Sequence, residues 1–301
     1  MNRDEETLLK LERHMEQALR NHPHSKDILD ALKPVILGRI RILKTLRLKD
    51  ADFENIDRAR LKDGIPVIRQ AALMPDGAAV REVALAILPD MKKGLPAIAG
   101  DLETLEEGIR EGTVDPAGIL HSFPEAFMES VDALAERVSV RPSAVDFLLR
   151  TVARILLEKR AGELAELLKG MDWDRGYCPV CGALPAVSMI QEKGGQRWLH
   201  CAQCGHEWRF SRVICPCCGH EGQKGMTYYF VEGRDLESAF ICEKCDKYLI
   251  TLTKVGNLED SDFEIAAMSL VHLDMIMQEK GFTPMTVCPW NAFDRQASPV
   301  C

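Results

Sequence analysis

Eight cysteines in four Cys-x-x-Cys pairs are the residues of this chain with the clearest chemistry. The pairs are Cys178/Cys181, Cys201/Cys204, Cys215/Cys218 and Cys242/Cys245, all within 68 residues of a chain of 301. The short spacing lets one turn aim two sulfurs at one ion, and two such turns complete a tetrahedral four-sulfur site. Four pairs therefore predict two sites. The first and second pairs are 19 residues apart and the third and fourth 23, while ten residues separate the second from the third. Those intervals favour pairing in chain order, with an interleaved cross-brace as the alternative. Four thiolates suit zinc, which would be structural and redox-silent, and equally a single iron, which would offer a one-electron site. The spacing does not separate the two metals.

The cysteine region also repeats. Cys178-Pro179-Val180-Cys181-Gly182 opens one unit, and Cys215-Pro216-Cys217-Cys218-Gly219 opens another 37 residues later. Strand-like runs follow at 186–190 and 196–200 in the first unit and at 226–231 and 238–241 in the second. Further strand-like runs at 207–210 and 248–253 come after the closing pairs. Proline fixes φ after the first cysteine of a knuckle. Glycine after the second cysteine can take positive φ and fold the backbone round the sulfur. Gly205 holds that place in the second pair, and Asp246, a residue that tolerates the left-handed region, holds it in the fourth. We read two tandem modules of the rubredoxin-like or zinc-ribbon kind. The likeness of the opening knuckles to rubredoxin makes iron in two mononuclear four-cysteine sites the expectation, with zinc as the alternative.

Disulfides and thioredoxin-type redox chemistry are the competing uses of such pairs. The polar, acidic start Met1-Asn2-Arg3-Asp4-Glu5-Glu6 carries no secretory signal, so a cytoplasmic location is expected and disulfides are disfavoured. Regular repetition favours metal over a redox dithiol. Cys217, Cys288 and Cys301 fall outside the pairs. Cys217 reads as a small filler facing away from the metal, with a spare reactive thiol as the alternative. Cys288 and Cys301 read as bystanders. His200, His206 and His220 flank the knuckles, but a closed four-sulfur site takes no fifth ligand.

The elements that must position these residues are of two kinds. Residues before about 170 hold no cysteine and show helical periodicity. Leu8, Leu9, Leu11, Met15 and Leu19 are spaced for one helix face, and Ile28, Leu29, Leu32, Val35, Ile36, Ile40 and Leu43 continue in a second helix, with Pro34 as a kink or early-turn residue. Further helices are predicted at 78–89, 95–110, 116–120, 124–136 and 143–169, the last capped by Ser143. The helical pattern returns at 262–280 and stops at Gly281. Its Met-rich stripe reads as core more than as a partner surface. The expected fold class is α+β. The domains read as 1–172 helical, 173–213 first metal module, 214–256 second metal module, and 257–301 C-terminal helix and tail.

Charge bounds the partners. The chain has 38 basic and 46 acidic residues, a net charge of −8. Nucleic-acid binding needs a basic footprint, and the overall acidity counts against one. Arg197, Arg209 and Arg212 with Trp198 and Trp208 form a small basic-aromatic patch, read as a solvated strand face with packed indoles. No run is long enough for a membrane span. A homo-oligomer stays open. No phosphate loop, Ser-His-Asp arrangement or open metal site suggests an enzyme.

These motifs together resemble the formate dehydrogenase accessory protein FdhE family. The resemblance is carried by Tyr177-Cys178-Pro179-Val180-Cys181-Gly182, Arg197-Trp198-Leu199-His200-Cys201, Cys204 with Glu207-Trp208, Arg212, Cys215 and Cys218. Arg234, the run Cys242-Glu243-Lys244-Cys245-Asp246-Lys247-Tyr248-Leu249, and Asp260, Asp262 and Leu273-Asp274 extend it. Cys217 departs from the pattern. The resemblance implies a cytoplasmic maturation protein that binds the formate dehydrogenase catalytic subunit, carries iron in rubredoxin-like sites and is not itself an enzyme. The reading from residues alone keeps a zinc-ribbon module for nucleic acid or a transcription complex as the alternative.

Overall fold

Helical periodicity before residue 170 and alternation after it resolve into two kinds of architecture. The computed structural model describes residues 3–51, 53–121, 127–222, 224–256 and 262–292. The first residues of the helix predicted at 124–136, Asp260 and Cys301 lie outside them. The helices are α1 (Arg3–Asn21), α2 (Lys26–Thr45), α3 (Arg58–Lys62), α4 (Gly77–Gly94), α5 (Ala99–Glu111), α6 (Pro116–His121), α7 (Phe127–Val138), α8 (Pro142–Glu163) and α9 (Ala165–Leu168). Strands follow as β1 (Pro185–Gln191), β2 (Arg197–Cys201), β3 (Glu207–Phe210), β4 (Met226–Phe230), β5 (Glu237–Cys242) and β6 (Lys247–Val255). Then come α10 (Phe263–Ser269), α11 (Val271–Glu279) and β7 (Thr283–Pro284).

The chain forms two compact units. One comprises 30–57 and 67–169 and is helical. Its core joins Val80, Ile87 and Met91 of α4, Leu105 of α5, Val131 of α7, and Val152 and Leu156 of α8. Each such buried aliphatic side chain contributes about 1.5–3 kcal/mol. That packing carries α2 and α4 through Pro34 and Pro89, each of which removes one helical N–H. Pro34 is therefore an interior residue of its helix and not an early-turn one. Ser143 does not cap α8: Arg141 is the extended N-cap residue, and Pro142 takes the first helical position, where its fixed φ fits and its missing N–H costs nothing.

The other unit comprises 1–29, 58–66 and 170–301. In it α1 and the 58–66 segment join the cysteine-rich region, and Tyr177 Oη donates to the Gly64 carbonyl at 2.7 Å. The strands form one sheet in the order β3-β2-β1-β6-β5-β4, with β7 also on β6. Within each module the three strands run antiparallel. The modules meet through a parallel pairing of β1 with β6, where Ser188 lies opposite Thr251. Their buried hydroxyls bond at 2.7 Å, so the polar pair is satisfied inside the seam.

The C-terminal helix is two helices, broken at Leu270. Asp262 caps the first, its carboxylate accepting from the amides of Glu264 and Ile265. Met268 and Met277 are buried, and Met275 is exposed. Asp274 on α11 is 1% exposed. Its Oδ1 accepts from Tyr248 Oη at 2.7 Å, and Gln278 Nε2 donates to the same hydroxyl at 3.0 Å. Its Oδ2 has no hydrogen-bond partner among the described residues. Burial pushes this carboxyl up to about 7, against the opposing pull of the Tyr248 hydrogen bond.

A carboxyl whose native pKa is raised costs stability as soon as its unfolded form ionises. The cost begins near the unfolded value of 3.8, grows as pH rises towards about 7 and is constant above that. Asp274→Asn keeps the acceptor for Tyr248 and removes the ionisation. It should raise the melting temperature, with a gain that widens between pH 4 and pH 7. Thermal unfolding at pH 4, 5.5 and 7.5 tests this; an equal gain at all three would contradict it.

Candidate metal centres

Both modules place their cysteines in the same two ways. One pair sits in a loop ahead of the first strand, Cys178/Cys181 before β1 and Cys215/Cys218 before β4. The other pair closes a hairpin: Cys201 ends β2 with Cys204 in the turn, and Cys242 ends β5 with Cys245 in the turn. The knuckle backbones follow their residue types. Gly182, Gly205, Gly219 and Asp246 have φ of 76°, 70°, 70° and 53°. At three of them the amide folds back onto the carbonyl of the first cysteine, at 2.9 Å for Gly182, 3.2 Å for Gly205 and 3.0 Å for Gly219.

Cys178, Cys181, Cys201 and Cys204 gather into one group, and Cys215, Cys218, Cys242 and Cys245 into another, their sulfurs within 4.8 Å of one another. The pairs thus combine in chain order and not as a cross-brace. In the first group Cys178 and Cys204 sulfurs are 3.5 Å apart and those of Cys181 and Cys201 3.4 Å. In the second, Cys215 to Cys245 is 3.9 Å and Cys218 to Cys242 is 3.8 Å. A tetrahedron with metal–sulfur bonds of about 2.3 Å has edges of about 3.8 Å, whereas a disulfide needs about 2.05 Å. Both groups therefore have the dimensions to hold one ion each, and none of these cysteines is in a disulfide.

The surroundings fit that use. The amides of Val180, Gln203 and Cys204 point at cysteine sulfurs at 3.3–3.4 Å, contacts that orient and stabilise thiolates. Burial pushes the thiols of Cys178 and Cys204 up, and that of Cys215 up to about 12. Without a cation these groups would keep their protons; a divalent ion reverses that preference. The two sites differ in access. All four cysteines of the first are buried, while in the second Cys218 is exposed and Cys245 half-buried.

The neighbouring residues have other occupations. His200 stacks on Phe263 with ring centroids 5.2 Å apart and faces Glu207 at 3.4 Å. His220 Nε2 lies 2.8 Å from the Lys224 carbonyl. Neither joins a sulfur group, and burial lowers the pKa of His206. Cys217 is half-buried and is not one of the four sulfurs of its site. Cys288 is buried next to the Tyr248–Asp274 network, its amide donating to Asn291 Oδ1 at 2.7 Å. Trp208 is buried, donating to the Arg175 carbonyl, and Arg209 lies over Trp198 at 5.2 Å, so the indoles are packed while Arg209 and Arg212 are exposed. Gly176 has a role beyond ending the helical pattern. A Cβ there would lie 2.0 Å from the Pro216 carbonyl oxygen, so glycine lets the lead into the first knuckle press on the third.

A third group has no signal in the sequence. His22, His24 and His272 bring ring nitrogens within 4.8 Å of one another, although His272 is far from the other two along the chain. His24 Nε2 and His272 Nδ1 are 2.9 Å apart. Arg234 donates to His22 Nδ1 at 2.7 Å, which leaves the proton of His22 on Nε2, 3.0 Å from Glu237. The lone pair that a cation would need on His22 is used by Arg234. This group is a hydrogen-bonded network, and burial lowers the pKa of His272 to about 4, keeping it neutral.

Residues 177–212, the first module, match the family model described as the FdhE central domain. The chain is 35% identical over 115 residues to the "Protein FdhE homolog" of Aquifex aeolicus, covering 36% of this chain and 40% of that protein. It is 28% identical over 220 residues to "Protein FdhE" of Escherichia coli K12, covering 70% of this chain and 64% of that one. The matches thus span less than two thirds of these relatives' lengths. The crystal structure of the FdhE protein from Pseudomonas aeruginosa has the same fold, with a TM-score of 0.64 over 93% of this chain and 94% of that one at 23% identity. The first module thus matches the FdhE central-domain model, and the chain is similar to curated FdhE proteins over part of their length.

Proposed function

We propose that this protein is a cytoplasmic accessory factor for formate dehydrogenase, which binds the enzyme's catalytic subunit during maturation through a metal-bearing scaffold. The observation that carries the reading is the pair of four-sulfur groups, built at matching positions of one sheet in a chain similar to the FdhE proteins. Cys178, Cys181, Cys201 and Cys204 would hold one ion, and Cys215, Cys218, Cys242 and Cys245 the other. Iron is our assignment for both, with zinc as the alternative. Bound metal would supply the cation that buried thiolates require, and iron would add one-electron chemistry. The chain's own residues supply rigidity: the knuckle amides orient the sulfurs, and the β1–β6 seam fixes one module on the other. The net charge of −8 supports a protein client over a nucleic acid. No described helix is long and apolar enough to cross a membrane.

The tagged chain, expressed in cells induced for formate dehydrogenase, should enrich that enzyme's catalytic subunit by affinity capture and mass spectrometry. Enrichment of nucleic acid or polymerase subunits in its place would refute the reading. Elemental analysis of protein purified without oxygen should give two ions per chain. The difference in access makes a kinetic prediction. A chelator should strip the second centre at least about tenfold faster than the first, since exposed Cys218 admits attack on the metal. Cys218→Ser should abolish the fast phase and Cys178→Ser the slow one. A single phase in the wild type would contradict it.

A further inference from the structure

Arg197 on β2 has a relative exposure of 0%. Its three guanidinium nitrogens have no hydrogen-bond partner among the described residues. A guanidinium keeps its charge in proteins, and a buried charge without a partner is strongly unfavourable. Among the described residues of this unit no other arginine or lysine is buried. Something must compensate it.

The guanidinium identifies where to look. Although Arg197 belongs to the first module, its guanidinium carbon lies 4.7 Å from the ring centroid of Phe240, on β5 of the second. Phe240 is two residues before Cys242 on the same strand, so both side chains project from one face of the sheet. Tyr228 lies opposite Phe240 in the β4–β5 register, and its hydroxyl is also buried without a partner among the described residues. Burial weakens the hold of Arg197 on its proton, while Tyr228 and Cys215 act in the opposite sense. No carboxylate hydrogen-bonds to the Arg197 guanidinium among the described residues. Cys242 of the second four-sulfur centre is the next residue on that face, and Cys215 of the same centre acts on the Arg197 charge, which makes this centre the candidate anion. Four thiolates round a divalent ion carry a net charge of about −2, the sign that complements a guanidinium whose other support here is the face of Phe240.

We propose that Arg197 is the built-in counter-charge of the second centre, a cation contributed by the first module that favours the metal-bearing state of Cys215, Cys218, Cys242 and Cys245. It is a positioning residue and not a ligand. This inference rests on the reading that the second centre holds metal. It makes occupancy of the second centre depend on correct folding of the first module, which presents β2.

The test uses the full chain loaded with zinc and titrated against a chromophoric chelator, so that both affinities are read. Arg197→Met keeps length without charge, and Arg197→Lys keeps charge with altered shape. Arg197→Met should weaken one of the two zinc affinities about 10- to 100-fold, as loss of a group that supports the ligands commonly does. Arg197→Lys should stay within a few-fold of the wild type. In a Cys218→Ser background, which leaves only the first centre, Arg197→Met should not change the remaining affinity. Wild-type affinity in Arg197→Met, or equal loss in the Met and Lys variants at both centres, would overturn the counter-charge and leave a packing role. A wild-type chain that binds fewer than two zinc ions would overturn the metal reading itself, a result distinguishable from either.

Discussion

Crowding four sulfurs into a space less than 5 Å across is the constraint on which the cysteine-rich unit is built. As thiols they are poorly packed donors, and as thiolates they repel. Burial pushes the thiols of Cys178, Cys204 and Cys215 upward, which expresses that cost in a protein without a cation. A bound ion turns the same arrangement into its most favourable interaction, and the backbone is already set for it. Positive φ after each second cysteine and amides aimed at sulfur leave little to reorganise.

The second organising feature is the β1–β6 seam. Two antiparallel modules could have remained beads on a chain. Instead the first strand of one pairs in parallel with the last strand of the other, and both modules share a sheet. This protects two strand edges that isolated modules would expose. It places Ser188 against Thr251 in a buried polar pair and presents a residue of one module to the interior of the other. Gly176 against Pro216 is a second such crossing, at a point where only glycine fits. Two centres held in this way have fixed positions relative to one another.

Much of the fold and of the candidate site was legible in the residues. The Cys-x-x-Cys spacing and the Gly or Asp after each second cysteine specify local backbone, and local backbone is what a short motif can dictate. The strand runs round the cysteines and the helices predicted before residue 170 were legible for the same reason, since their period is a local property. Ends were less so. Ser143 reads as a cap, but Pro142 starts the helix one residue earlier. The final helix reads as continuous, yet it breaks at Leu270. Such ends are decided by what packs on either side.

What the sequence determined by itself was the number of sulfur pairs, the conformation of each knuckle and the division into helical and stranded stretches. Only the tertiary structure decided which pairs converge, that the two modules share one sheet, and that α1 belongs with them. It also decided that Arg197 is buried beside Phe240 and that His22, seated between Arg234 and Glu237, meets His272. The physical reason is range. A turn or a helix is set by neighbours a few residues apart, whereas these contacts join residues tens to hundreds of positions apart and depend on how whole elements pack.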